Sequence, residues 1–224
     1  MRIRLFSLLA LTVFAGGCSE TTLRSGRTPE PMPRSAPSVL SIGSVTVDVN
    51  NRYIEIPGRV NMTEACVELL ACGPGGKTHE SVFVVNASPT DFQAAMLLLG
   101  LRPGIAPDLS RGLGPEGPPI GIEISWVQDG RKFTVPGEQA LSNRVEEAVL
   151  NSAGWAFTGS EVVDGYFMAE VDETFVATYW DPWAIINLSD PAGINDSLIV
   201  PNPKALPPID TEVVLRFEAS GARP

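Results

Sequence analysis

The chain of 224 residues contains a single histidine, His79, and many of the residue types able to do chemistry lie near it. Glu80 and Ser81 follow it, and the run Gly73-Pro74-Gly75-Gly76-Lys77-Thr78 precedes it. A histidine beside a carboxylate and a hydroxyl suggests acid–base or nucleophilic work. The spacing argues against this. On the strand predicted for 79–86, His79 and Ser81 share a face but stand about 6.6 Å apart, too far for a nucleophile–base hydrogen bond. Glu80 points to the opposite face. Without a second histidine, a zinc or iron site would need carboxylates or thiols. The leading reading of His79 is therefore a hydrogen-bonded histidine at a strand entry. One alternative is a ligand site that includes Glu80. Another is an enzyme on cell-envelope substrates using His79 with nearby carboxylates.

Residues 71–78 resemble a relaxed phosphate loop, with Ala71 where the first glycine would stand. Such a loop holds phosphates only when it opens a helix, and this one opens a strand signal, so it reads as a glycine-rich turn. Cys66 and Cys72 lie in the apolar run 64–72. If that run is one straight strand, they stand about 20 Å apart and cannot bond. An intervening turn permits a disulfide in an oxidising compartment, and two buried thiols or a metal or redox role with His79 are the other readings. Trp180 and Trp183 flank Asp181-Pro182. Paired tryptophans make a stacking platform for a sugar, or they pack beneath a loop. Together His79, Glu80, Trp180 and Trp183 form the candidate ligand site. No catalytic, cofactor-binding or metal residue is assigned.

The elements that must position these residues begin with 79–86, where Val82, Phe83, Val84 and Val85 predict an inner strand covered on both faces. Ser88 is placed as an N-cap, Pro89 at the first helical position and Asp91 at the third. The helix predicted for 89–99 is apolar on nearly every side, so it is expected to be buried all round, and Gly100 and Pro103 end it. Further strands are predicted at 45–49 and 52–60 around Asn50-Asn51, and at 64–72. Others fall at 120–128 and 132–135 around Asp129-Gly130, then at 155–159, 166–171, 173–179 and 211–217. A minor amphipathic helix is predicted at 142–150. The Pro/Gly-rich loop 102–119 is long enough to be a recognition loop or a crossover.

The segments GGKTHESVFVV and AAMLLLGLRPG, then PPIGIEISW, GWAFTGS, WDPWAIIN and LPPIDTEVVLRF in that order, resemble the YdjY-domain family. Some members are joined to ferredoxin-type segments, but this chain has no Cys-x2-Cys run and that chemistry does not carry over. The resemblance implies no transferable catalytic residue.

The N-terminus places Arg2 and Arg4 before the apolar run 5–15, which is too short to span a bilayer. Ala15-Gly16-Gly17-Cys18 resembles a lipobox, with Cys18 as the lipid attachment site once residues 1–17 are removed. Residues 18–40 read as a lipidated N-terminus and disordered tether with four prolines, 41–219 as the domain and 220–224 as a tail. Several acyl chains on Cys18 would anchor the chain stably to a membrane. Loss of Arg2 and Arg4 carries the formal net charge from −10 to −12, which disfavours nucleic acid and anionic lipid as partners. Nucleotide is disfavoured by the phosphate-loop argument, and no cofactor is expected.

The expected architecture is α+β: a β-rich single domain, mainly antiparallel, with one buried central helix at about 89–99. The expected function is that of an envelope lipoprotein that binds or scaffolds an unknown envelope protein or glycan. The biochemical activity is not legible in these residues.

Overall fold

A computed structural model describes residues 38–150 and 154–219. The expected signal 1–17, Cys18, nearly all of the tether 18–40 and the tail 220–224 lie outside the described residues. In chain order, β1 (Val39–Ile42) and β2 (Val45–Asp48) form a hairpin laid against β3 (Tyr53–Val60). β4 (Leu69–Cys72) and β5 (Ser81–Val85) are parallel neighbours, and α1 (Pro89–Leu98) follows. β6 (Pro119–Gln128) and β7 (Arg131–Pro136) form a long hairpin; β8 (Leu141–Asn143) and β9 (Ala148–Val149) form a short one. After β10 (Trp155–Phe157), β11 (Val162–Val163) and β12 (Tyr166–Phe167) make a ribbon that runs into α2 (Met168–Asp172). β13 (Thr174–Ala177) and β14 (Ile186–Leu188) are again parallel, β15 (Ile199–Pro201) pairs with β8, and β16 (Glu212–Ala219) ends the described chain.

Eight strands close on themselves in the order β3, β16, β6, β10, β14, β13, β4, β5, with β5 returning to β3. This overturns the expected α+β class. The chain is 42% strand and 16% helical, with two α-helices among the described residues. It is a β-rich closed barrel, and its two parallel pairs make it mixed rather than plainly antiparallel. Two strands share one edge between two partners. β3 gives Tyr53–Glu55 to β2 and Gly58–Val60 to β5. β6 gives Ile120 to β10 and its far half to β7.

The interior follows from a two-residue period. Ile54 and Ile56, then Ile120, Ile122 and Ile124, then Val213, Leu215 and Phe217 are buried, while Glu55, Glu123 and Arg216 alternate with them on the outside. β4, β5 and β13 are buried throughout because they are covered on both faces, with Ser81 and Thr174 the polar residues among apolar ones. A second small cluster of Leu69, Cys72, Val84, Ala177 and Ala184 forms apart from the main core.

α1 has the predicted ends. The Ser88 hydroxyl accepts from the Asp91 amide at 3.3 Å, Pro89 is the first helical residue, and Gly100 takes a φ of +79°. Its expected burial on every side is not met. Phe92, Ala95 and Met96 join the core, with the Phe92 ring 4.7 Å from Phe217 and 5.6 Å from Phe175, but Leu97 and Leu98 are half exposed. The helix predicted at 142–150 is instead the β8–β9 hairpin. The Asn143 side chain accepts from the amides of Val145 and Glu146 and turns the chain there. The strand expected at 166–171 stops at Phe167 and becomes α2.

Candidate functional site

Parallel neighbours usually need a crossover of a dozen or more residues. Here β4 reaches β5 through residues 73–80 and β13 reaches β14 through 178–185. The two stretches carrying the sequence's chemistry are therefore matched crossover loops, and β4 and β13 lie side by side between them.

Glu68, just before β4, joins the two loops. Its amide donates to the Glu80 carbonyl at 3.0 Å, and its carbonyl accepts from the amides of Thr178 and Tyr179 at 2.8 and 3.0 Å. Its carboxylate accepts from Lys77 Nζ at 2.9 Å, and Glu80 lies 3.4 Å from the same ammonium. Burial pulls the Lys77 pKa down, but the Glu68 hydrogen bond and the charges of Glu68 and Glu80 outweigh it and hold the group above its ordinary value.

The first loop is organised by a carboxylate that sequence reasoning missed. Glu173 takes a left-handed backbone at φ +49°, and its carbonyl accepts from the Gly73 amide at 2.7 Å. Its carboxylate accepts from the Gly75 amide, also at 2.7 Å. A Cβ at Gly75 would stand 2.5 Å from that carboxylate, and one at Gly76 would stand 2.8 Å from the Asp172 carbonyl. The glycines resembling a phosphate loop thus wrap an internal anion. The loop leads through a 3-10 turn, Thr78–Glu80, into β5.

The second loop is held by Asn187, which accepts from the Asp181 amide and donates to the Asp181 carbonyl, both at 2.8 Å. Trp180 is buried. Its indole donates to the Leu188 carbonyl at 2.9 Å, and its ring lies against Gly193 and Gly114, where a Cβ would come within 2.5 and 3.1 Å of it. Trp183 is the partly exposed member of the pair. The Asp181 carboxylate accepts from the Trp183 amide at 2.8 Å; burial raises its pKa, and that amide and the Lys77 charge only partly offset the rise.

Between the loops lies a cleft of about 280 Å³, lined by Glu68, Lys77, Tyr179, Asp181 and Trp183 among others. Leu109 and Pro182 separate it from a hollow of about 660 Å³ along the inside of the 102–119 loop. That loop is a small ladder, with Ile105 opposite Glu116 and Asp108 opposite Leu113. A groove of about 1010 Å³ over the outer face of β3, β5 and β16, around Pro57, Val84 and Val214, is larger. The smaller cleft is the better candidate because aromatic and ionisable groups from both crossovers converge there.

The predicted site residues separate. Trp180 and Trp183 line the cleft, and Glu80 reaches it through Lys77. His79 does not join them. Its side chain is 79% exposed, it lies in the 3-10 turn rather than on a strand, and its Nε2 is 3.9 Å from the Glu80 carboxylate. Cys66 and Cys72 are free thiols. Cys66 lies against the Ser197 carbonyl and Arg144 Nη1, at 3.5 and 3.2 Å, whereas Cys72 is buried in β4, where burial raises its pKa. Among the described residues no group of three or more His, Cys, Asp or Glu is placed to hold a metal ion.

A family model described as the YdjY domain matches residues 45–218, a span containing both crossover loops and the cleft. No curated protein and no solved structure matches the chain.

Proposed function

The chain belongs to the YdjY-domain family, and from that premise we propose that it is an envelope lipoprotein whose barrel is a binding module for an envelope glycan. The anchor is Cys18, acylated after removal of residues 1–17. The observation that carries the binding reading is the crossover cleft, where the partly exposed Trp183 ring stands beside Asp181, Tyr179 and the Lys77–Glu68 pair. An indole face supplies apolar contact for a sugar ring, and carboxylate, ammonium and phenol groups serve its hydroxyls. An enzyme built on His79 is less well supported, because the imidazole is exposed and lies beyond hydrogen-bond reach of Glu80.

Calorimetry with soluble peptidoglycan fragments tests the ligand, and the mass of the N-terminal peptide tests acylation. We expect Trp183→Ala to weaken binding about tenfold or more, the scale of a lost aromatic contact, without lowering the melting temperature. Unchanged binding in that variant, or no binding by the parent, would remove the glycan reading. A mature peptide without acyl mass on Cys18 would remove the anchor.

A further inference from the structure

An apolar face lies beside the point where the chain enters the barrel. β1 packs against α1, and α1 presents Leu97 and Leu98, 49% and 50% exposed, away from the core. Hydrogen bonds join this helix to the segments on either side of the β11–β12 ribbon. Gln93 Nε2 donates to the Gly159 carbonyl at 3.1 Å, and Leu97 stands one turn beyond Gln93 on the same stripe. The Thr90 amide donates to the Glu170 carboxylate of α2 at 2.8 Å. Ser160 Oγ donates to the Trp183 carbonyl and accepts from the Ala169 amide, which fixes both ends of the β11–β12 ribbon. That ribbon exposes Tyr166 at 66% together with its cross-strand partner Val163 on one side and Val162 at 69% on the other, and α2 adds Val171. Aliphatic side chains with a tyrosine match the composition favoured at a membrane–water interface.

We propose that this face, built from α1, the β11–β12 ribbon and α2, rests on a lipid bilayer. The proposal builds on the reading of the chain as membrane-held. The 37 residues preceding the described chain lead into β1, a strand that packs against α1. A domain tethered there meets the bilayer with the side nearest its tether at high effective concentration. The charges on the face select the lipid. Glu161, Asp164 and Asp172 border the apolar residues, whereas Glu170 is occupied by the Thr90 amide and the Ser88 hydroxyl. Such a face suits zwitterionic lipid and is repelled by an anionic surface. The Trp183 side of the cleft, tied to Ser160, then lies next to the membrane.

Flotation with phosphatidylcholine vesicles tests this, using residues 19–224, which retain all eight strands of the closed ring but lack Cys18. The parent is expected to float, and to float less with phosphatidylglycerol-rich vesicles. Leu97→Asp and Val163→Asp are each expected to lower the bound fraction about tenfold. Val127→Asp, on a more open site of β6 at 68% exposure, is expected to bind like the parent. Circular dichroism melts confirm that each variant is folded. The proposal fails if the parent stays at the bottom of the gradient, or if the two aspartates on the face change nothing. It also fails if sedimentation shows that the face pairs two copies and Val163→Asp separates them. Because this chain lacks Cys18, its flotation is independent of whether the natural N-terminus is acylated.

Discussion

The Asp181 carboxyl is raised above its ordinary pKa by burial, so the folded chain holds its proton at a pH where the unfolded chain has lost it. The group's contribution to stability therefore declines as pH rises from the ordinary value of 3.8 to the raised one, and its cost remains in full at neutral pH. Asp181→Asn keeps an oxygen for the Trp183 amide and removes that cost. We expect urea denaturation to show the variant more stable than the parent at pH 7, with the difference closing below pH 3.8. A variant equal to the parent at both ends would mean that the carboxylate is solvated at no cost. At this scale the sequence singled out Trp183 and Glu80 because they sit within short marked stretches, and the structure places Trp183 on the cleft and Glu80 beside Lys77. It did not disclose Asp181 as a partly buried acid, Glu68 as the link between loops or Glu173 as the occupant of the glycine turn. Glu173 is 98 residues from Gly75, and no local spacing records that contact. His79 attracted attention as the lone imidazole, but it precedes the strand rather than lying within it.

Among the elements, α1 and β5 were the most legible because each carries its own boundary signals. Ser88 caps α1 and also donates to the Glu170 carboxylate at 3.1 Å. Ser88→Ala is expected to cost about 1 kcal/mol or somewhat more, measured as a shift in the urea midpoint, because capping alone contributes about that much. A variant with an unshifted midpoint would show that neither hydrogen bond contributes. The inner position of β5 followed from four consecutive apolar residues, and it does pair on both sides. The exposure of Leu97 and Leu98 was not legible, since a nearly all-apolar helix shows no periodic stripe to distinguish its faces. Segments 142–150 and 166–171 failed for another reason. They are short, and a side-chain turn at Asn143 and a one-turn helix after Phe167 decide them.

For the whole molecule, the many short strands and marked turns predicted β structure correctly but could not show how the strands close. The ring depends on β16 lying between β3 and β6, and on β5 returning to β3, pairings between distant parts of the chain. The parallel pairs were hidden because eight-residue connections look like hairpin loops. The ladder from β1 through β2 and β3 to β16 sets Val39, Asp48, Tyr53 and Glu218 in one row. At about 4.8 Å per strand, the two ends of the described chain are only about 14 Å apart. Joining them with a short linker and cutting the chain elsewhere should yield a functional circular permutant. The β6–β7 tip at Asp129-Gly130 lies about 26 Å along the strand from that row, counting eight residues beyond Gly121, which pairs with Glu218. A fluorescent reporter inserted at this tip should leave the melting temperature within a few degrees of the parent's, whereas one fused after Ala219 would crowd the side where the chain enters. Tagging experiments should therefore use the hairpin and leave both chain ends free.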